Sequence, residues 1–140
     1  MRLRAALVAL CLLFAPSAFA LSGLGLGFSS GGSGISGYAK ANHSGFFQGM
    51  FGLTSPDPFV IGDYCVDVPM GEMSGYLGGG AIIQLGQRNA TLGLHIPFGI
   101  YYQAKTVPLM LNFDLAPGFI VRGDDNVFVD VTFGVRYLFK

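Results

Sequence analysis

The amino-acid sequence predicts an all-β protein, a single eight-stranded antiparallel up-and-down β-barrel. Along most of the chain after residue 20, apolar residues alternate with polar residues or glycine, and this period of two is typical of strands. Turn-forming runs rich in Gly, Ser, Asn, Asp and Pro divide this part of the chain into about eight segments of about ten residues. An even number of strands lets the last strand pair with the first, which closes the sheet and removes its edges.

Residues 1–20 have the features of a secretory signal peptide. A positive start at Met1–Arg4 precedes the apolar run Ala5–Phe14, and Ala18–Ala20 supplies a cleavage site of small residues. We therefore predict export through the Sec pathway, cleavage after Ala20, and a barrel domain of residues 21–140. The alternative, lipidation of Cys11, is disfavoured because bulky Leu10 precedes it.

The composition is unusual for a soluble exported protein. The formal net charge is +0, 51% of the residues are hydrophobic, and the mean hydropathy is positive. Sparse, balanced charge disfavours nucleic acid as a partner. No apolar run after the signal is long enough for a transmembrane helix. High hydrophobicity without long apolar runs is what alternating, lipid-facing strands produce, so we expect a transmembrane barrel in a bacterial outer membrane.

The first three strands are short and rich in glycine. They are predicted at Gly23–Phe28, Gly34–Ala41 and Gly45–Leu53. Turn-forming residues at Ser29–Ser33 and Ala41–His43 separate them, and the run Thr54–Pro58 ends the third strand because its prolines interrupt pairing.

The next three strands are predicted at Phe59–Val68, Gly75–Leu85 and Ala90–Tyr102. The loops Pro69–Met73 and Gly86–Asn89 connect them. Pro97 lies inside the sixth strand and has no N–H for the ladder. Because a closed barrel has no edge strand for a proline, we predict a β-bulge at this position.

The last two strands, Val107–Val121 and Asn126–Lys140, are joined by the loop Arg122–Asp125 and alternate most clearly. Only one cysteine, Cys65, remains after signal cleavage, so disulfides do not hold the domain together. The residues predicted to face lipid on these two strands are Leu111, Phe113, Val129, Val131, Phe133, Val135, Tyr137 and Phe139.

Six charged residues fall on the inward phase of the strands: Lys40, Asp63, Asp67, Asp114, Asp130 and Arg136. They could line a polar lumen or form a salt-bridge network that plugs it, since buried charges must be paired. Two cations do not balance four carboxylates, so some carboxylates should be protonated, hydrated or near the barrel ends. Arg136 and Asp114 lie about equally far from the hairpin that joins their strands. We therefore expect Arg136 to anchor a carboxylate cluster that includes Asp114.

The sequence contains no recognisable catalytic or cofactor motif. His43, His95 and Cys65 lack a metal-ligand spacing. No nucleophile has a base and an orienting group in sequence context. The run Gly23–Gly27 lacks the helix and the lysine of a phosphate-binding loop. We expect a protein that is not an enzyme and uses no metal or cofactor.

Several short motifs carry a family resemblance: Gly23–Gly27, Gly62–Tyr64, Gly78–Gly80, Leu94–Ile100 and Phe133–Phe139. With them the chain resembles small outer-membrane barrels of the OmpA/OmpX plan, and more closely a small barrel family known from spirochaetes such as Borrelia. Its ending resembles the C-terminal signal of outer-membrane barrels, displaced by one residue because Lys140 follows Phe139. The resemblance implies insertion by the barrel-assembly machinery and, in some family members, binding of host proteins.

Three functions remain open at this point. The first is a non-enzymatic, OmpA-like cell-envelope protein with a structural or surface-interaction role, whose partners are lipid and envelope or host proteins. The second is a narrow, porin-like pore for ions or small solutes. The third is a soluble periplasmic barrel that binds a small hydrophobic ligand. Short predicted outer loops favour the first over a large surface receptor.

Overall fold

The computed structural model describes residues 21–53, 57–86, 89–123 and 127–139. The predicted signal peptide lies outside these residues, as do parts of the predicted loops Thr54–Pro58, Gly86–Asn89 and Arg122–Asp125. Within the described ranges, no helix is long and apolar enough to cross a membrane.

The alternating pattern forms β-strands in every predicted segment. Their bounds are β1 Leu21–Ser29, β2 Gly32–Lys40, β3 Gly45–Gly52, β4 Phe59–Met70, β5 Met73–Leu85, β6 Ala90–His95, β7 Phe98–Gln103, β8 Leu109–Arg122 and β9 Val127–Leu138. β6 and β7 are two halves of one barrel strand, because both pair with β5 on one side and with β8 on the other. With β6 and β7 counted as one strand, consecutive barrel strands pair antiparallel throughout.

Pairing of β1 with β9 closes the sheet, with a register that runs from Gly23 opposite Leu138 to Ser29 opposite Thr132. The predicted closed, eight-stranded antiparallel barrel is therefore confirmed. We call the end where β1 begins and β9 ends the termini side, and the opposite end, with the β1–β2 hairpin, the loop side.

The predicted bulge at Pro97 is wrong. Gly80 opposite His95 and Leu77 opposite Phe98 belong to one register, so no extra residue enters the strand between β6 and β7. The register shifts of this barrel lie elsewhere, at the start of β1 and next to Gly93 in the β6–β8 pair.

The strand accommodates Pro97 by giving up hydrogen bonds. The Gly78 N–H donates to the Pro97 carbonyl at 2.9 Å, and the Ile96 N–H donates to the Pro117 carbonyl at 2.9 Å. Neither proline has an N–H to return. The sheet therefore lacks two neighbouring interstrand hydrogen bonds at these prolines, but its register is unchanged.

The β4–β5 hairpin is longer than predicted. The strands pair as far as Met70 opposite Met73, so the predicted loop Pro69–Met73 reduces to the two-residue turn Gly71–Glu72. Gly71 has φ +73°, and a glycine with positive φ at the first central position is the pattern of a type II′ hairpin turn. The turn residue therefore determines where the hairpin ends.

Inward-facing side chains fill the barrel in layers. Next to the termini side is an aromatic cluster of Tyr38, Phe46, Cys65, Tyr76 and Met110. Toward the loop side is a second apolar cluster of Met50, Phe59 and Ile61. Polar residues separate the two clusters along individual strands: Gln48 lies between Phe46 and Met50 on β3, and Asp63 lies between Ile61 and Cys65 on β4.

Candidate functional site

The polar residues that separate the two clusters form what we call the polar layer. It contains most of the buried polar and charged side chains in the described part of the chain. Its members are Ser36, Gln48, Asp63, His95, Asn112, Asp114 and Arg136, all buried. Each occupies an inward position of its strand, so the alternation of the sequence brings them together across the lumen.

Arg136 interacts with neutral groups. Its Nε donates to Ser36 Oγ at 2.8 Å, and Nη1 and Nη2 donate to Gln48 Oε1 at 3.5 and 3.4 Å. Among the described residues, no carboxylate lies within ion-pair distance of the guanidinium. The expected carboxylate cluster around Arg136 and Asp114 is not held by a direct ion pair to Arg136, because the register places Asp114 opposite Thr132 and Arg136 opposite Met110. Asp114 and Arg136 therefore lie at different positions along the β8–β9 pair.

Gln48 connects the arginine to the carboxylates. Its oxygen accepts from Arg136, while Nε2 donates to Asp63 Oδ2 and to Asp114 Oδ2, each at 3.3 Å. The Tyr76 hydroxyl also donates to Asp114 Oδ2. A primary amide has both a donor and an acceptor end, so it can bridge a cation to two anions. Sequence reasoning missed this role because Gln48 carries no charge.

His95 and Asp63 form the one ion pair found among the described residues, between Nε2 and Oδ1. The polar layer contains two basic residues, His95 and Arg136, and two carboxylates, Asp63 and Asp114. Only two of the four predicted carboxylates therefore lie in this layer. His95 Nδ1 and both polar side-chain atoms of Asn112 have no protein partner within the described part of the chain.

Two inward glycines allow these long-range contacts. Asp63, Gly80 and His95 occupy one row across β4, β5 and β6, and a Cβ on Gly80 would overlap the Asp63 carboxylate at Oδ1. Tyr76, Gly99 and Asp114 form a similar row across β5, β7 and β8. In each row, the missing side chain lets residues two strands apart meet.

The remaining members of the predicted charge network lie near the barrel ends. Asp130 is close to the loop side, where it accepts hydrogen bonds from Ser30. Asp67 is toward the termini side and accepts from the Tyr101 hydroxyl at 2.8 Å. Lys40 ends β2 opposite Phe46 and is exposed at the termini side, and no carboxylate of the described residues lies within ion-pair distance of it. It therefore takes no part in a buried charge network.

The residues predicted to face lipid all point away from the lumen. Leu111, Phe113, Val129, Val131, Phe133, Tyr137 and Phe139 are exposed, and Val135 is half-buried. They alternate on β8 and β9 with buried Asn112, Asp114, Asp130 and Arg136.

The described residues contain no group of three or more His, Cys, Asp or Glu arranged to hold a metal ion. Cys65 is a buried free thiol in the aromatic cluster. The hydrogen bonds of the polar layer join side chains of different strands to one another, an arrangement that cross-links the barrel wall from within.

Comparison with models of protein families, with curated proteins and with solved structures finds no match to this chain. The resemblance to small spirochaete barrels therefore stays a prediction, and the function has to be inferred from the two faces of the barrel.

Proposed function

We propose that this chain is a non-enzymatic β-barrel protein of a bacterial outer membrane with a structural or surface-interaction role. The observation that carries the proposal is the inverted distribution of polarity. Val127 is 76% exposed on the outer face, while Asp114 and Arg136 are each 3% exposed inside. Large apolar side chains are exposed on the outside of every strand. In water such a surface far exceeds the apolar patches that monomeric proteins expose, whereas lipid covers it in a membrane.

The placement of aromatic residues supports a membrane boundary on each side. Tyr102, Tyr137 and Phe139 lie on the outer face toward the termini side, and Phe28 and Phe119 lie on it toward the loop side. Aromatic girdles at both interfaces are typical of outer-membrane barrels. The predicted signal peptide supports export, and the assembly machinery that inserts barrels would be an obligate partner.

The packed lumen favours this role over a pore. Two apolar clusters and the polar layer between them occupy the inside of the barrel, as expected where an eight-stranded interior is just wide enough for side chains. The alternative of a soluble periplasmic barrel requires a polar face turned outward, whereas the outer face of this barrel is apolar. A surface-interaction role would use the loop side; the suggestion that host proteins bind there rests on the family resemblance.

Cell fractionation combined with gel mobility tests the proposal. We expect the exported protein to co-fractionate with outer membranes and to migrate differently on a denaturing gel before and after heating, as folded barrels do. A variant that lacks residues 1–20 serves as control and should remain in the cytoplasm. Recovery of the full-length protein in the soluble periplasmic fraction would contradict the proposal.

A further inference from the structure

A pocket of about 380 Å³ opens at the loop side of the lumen. Ile82, Ile120 and Phe128 form its apolar surface, and Ser30, Thr91 and Asp130 contribute polar groups. This volume lies within the range of small-molecule sites, as does the combination of apolar walls with a few polar groups. The pocket is separate from the polar layer described above.

Of the described residues that line this pocket, Asp130 is the charged one, and it is only 4% exposed. Its Oδ1 accepts from the Ser30 N–H at 3.2 Å and from the Ser30 hydroxyl, and its Oδ2 accepts from Thr132 Oγ1 at 3.4 Å. These donors are neutral. Within the ranges that the structure describes, no cation lies at ion-pair distance from Asp130. A carboxylate removed from water without a counter-charge is costly, so a cation that enters the pocket would be stabilised there.

Phe128 closes the pocket toward the centre of the barrel. Its ring contacts the His95 ring, with centroids 6.2 Å apart. It also packs over Gly93 and Gly118, where an added Cβ would come within 2.7 and 2.8 Å of ring atoms. A ligand would therefore meet a fixed aromatic ring and not the His95–Asp63 pair. Aromatic rings attract cations, so the Phe128 ring and the Asp130 carboxylate both favour a positively charged ligand.

We propose that this pocket binds a small organic ammonium ion with an apolar body, with the ammonium group on Asp130 and the apolar body against Phe128, Ile82 and Ile120. The carboxylate disfavours anions, and a neutral molecule would leave its charge uncompensated. The site depends on the barrel interior alone, so it does not require the proposed membrane location.

Titration of the folded mature protein in zwitterionic micelles tests this site. The probe is benzylammonium, with benzyl alcohol as its neutral analogue and empty micelles as the blank; binding is followed by calorimetry and by amide chemical shifts of Ser30 and Thr91. We expect saturable binding of benzylammonium and binding of benzyl alcohol that is weaker by about tenfold or more, the effect of losing one charge-assisted contact. Equal affinities for the two probes, or no saturable binding, would overturn the proposal.

Three variants locate the site. Asp130→Asn keeps one acceptor oxygen for Ser30, removes the charge and should weaken benzylammonium binding by about tenfold or more. Ile120→Phe fills the pocket, keeps the carboxylate and should abolish binding of both probes. Asp67→Asn, the matched control, removes a carboxylate at the opposite end and should bind normally. Heat-dependent gel mobility verifies that each variant is folded. Unchanged binding in folded Asp130→Asn or Ile120→Phe, or equal loss in Asp67→Asn, would contradict the assignment.

Discussion

At the residue scale, Gly80 controls the contact between Asp63 and His95. It separates the two residues in one row of the sheet, and any side chain there would occupy the space of the Asp63 carboxylate. Gly79, the next residue, faces outward, and a Cβ added to it would meet no atom within 4 Å. Alanine substitutions at Gly80 and Gly79 therefore form a matched pair, one at a crowded inward position and one at an open outward position.

We predict that Gly80→Ala destabilises the barrel strongly and Gly79→Ala does not. Breaking a buried ion pair costs about 3–5 kcal/mol, whereas an alanine in open space on an outer face costs little. The measurement is the free energy of unfolding in urea, in micelles. Equal losses for the two variants would show that the space at Gly80 is not needed for the ion pair.

Gln48 provides the second residue-scale prediction. Arg136→Met and Asp114→Asn should show a coupling energy of about 0.5–3 kcal/mol, the range for residues in one network. In a Gln48→Met background the same double-mutant cycle should give a much smaller coupling, because the amide that joins the two groups is gone. Urea unfolding of the eight combinations measures both values. An unchanged coupling would mean that the two charges interact without the amide.

The sequence predicts which residues of the layer face inward but not which of them touch. Alternation alone puts Asp63, His95, Asp114 and Arg136 on the inner face. Their contacts depend on register across three strands and on glycines that leave room, and a residue that carries no charge, Gln48, holds the central position. None of this changes the period of two, so periodicity could not predict it.

At the element scale, the β4–β5 turn depends on one backbone conformation. Gly71 has φ +73°, and a Cβ there would meet no atom within 4 Å. Gly62, on the outer face of β4, has equally open surroundings but no positive φ. We predict that Gly71→Ala costs about 1–3 kcal/mol, the cost of holding a non-glycine residue at positive φ, and that Gly62→Ala is nearly neutral. Unfolding in urea compares them; a similar effect at both sites would contradict the turn assignment.

The existence of each strand is predictable from the sequence, but the strand ends are not. All eight barrel strands follow from alternation between turn-forming runs. Pro69 predicts the start of a loop, yet it pairs with Ser74 inside the extended hairpin. Pro97 predicts a bulge, yet the register continues past it. A proline shows that a hydrogen bond is missing, but the neighbouring strand determines how the sheet adapts.

At the scale of the whole molecule, the outer face tests the membrane proposal. Val131→Arg and Leu111→Arg should each impair assembly, because an arginine on the lipid-facing side of a barrel costs free energy at every depth, up to roughly 2–4 kcal/mol at the bilayer midplane and less toward the interfaces. Lys40→Ala, at the exposed termini side, is the control and should assemble normally. Yields of heat-modifiable protein in membranes give the comparison. Normal assembly of all three variants would argue against lipid contact at Val131 and Leu111.

The filled lumen leads to a second prediction at this scale. We expect the purified protein to give no stable single-channel steps in planar bilayers, because side chains occupy the interior of an eight-stranded barrel. Reproducible steps of one size from wild-type protein would favour the pore instead. The substitutions Phe46→Ala and Tyr76→Ala remove two large side chains of the aromatic cluster. If conductance steps appear only in these variants, the aromatic cluster is what blocks the lumen.

The pairing of β1 with β9 also sets an order of events in time. More than 100 residues separate the strands that close the ring. At roughly 5–20 residues per second, β1 leaves the ribosome several seconds before β9 exists. Until then, β1 has an unpaired edge of the kind that recruits foreign strands. The cell must keep the unfinished chain from aggregating throughout synthesis, and the barrel can close only after the whole chain has been made.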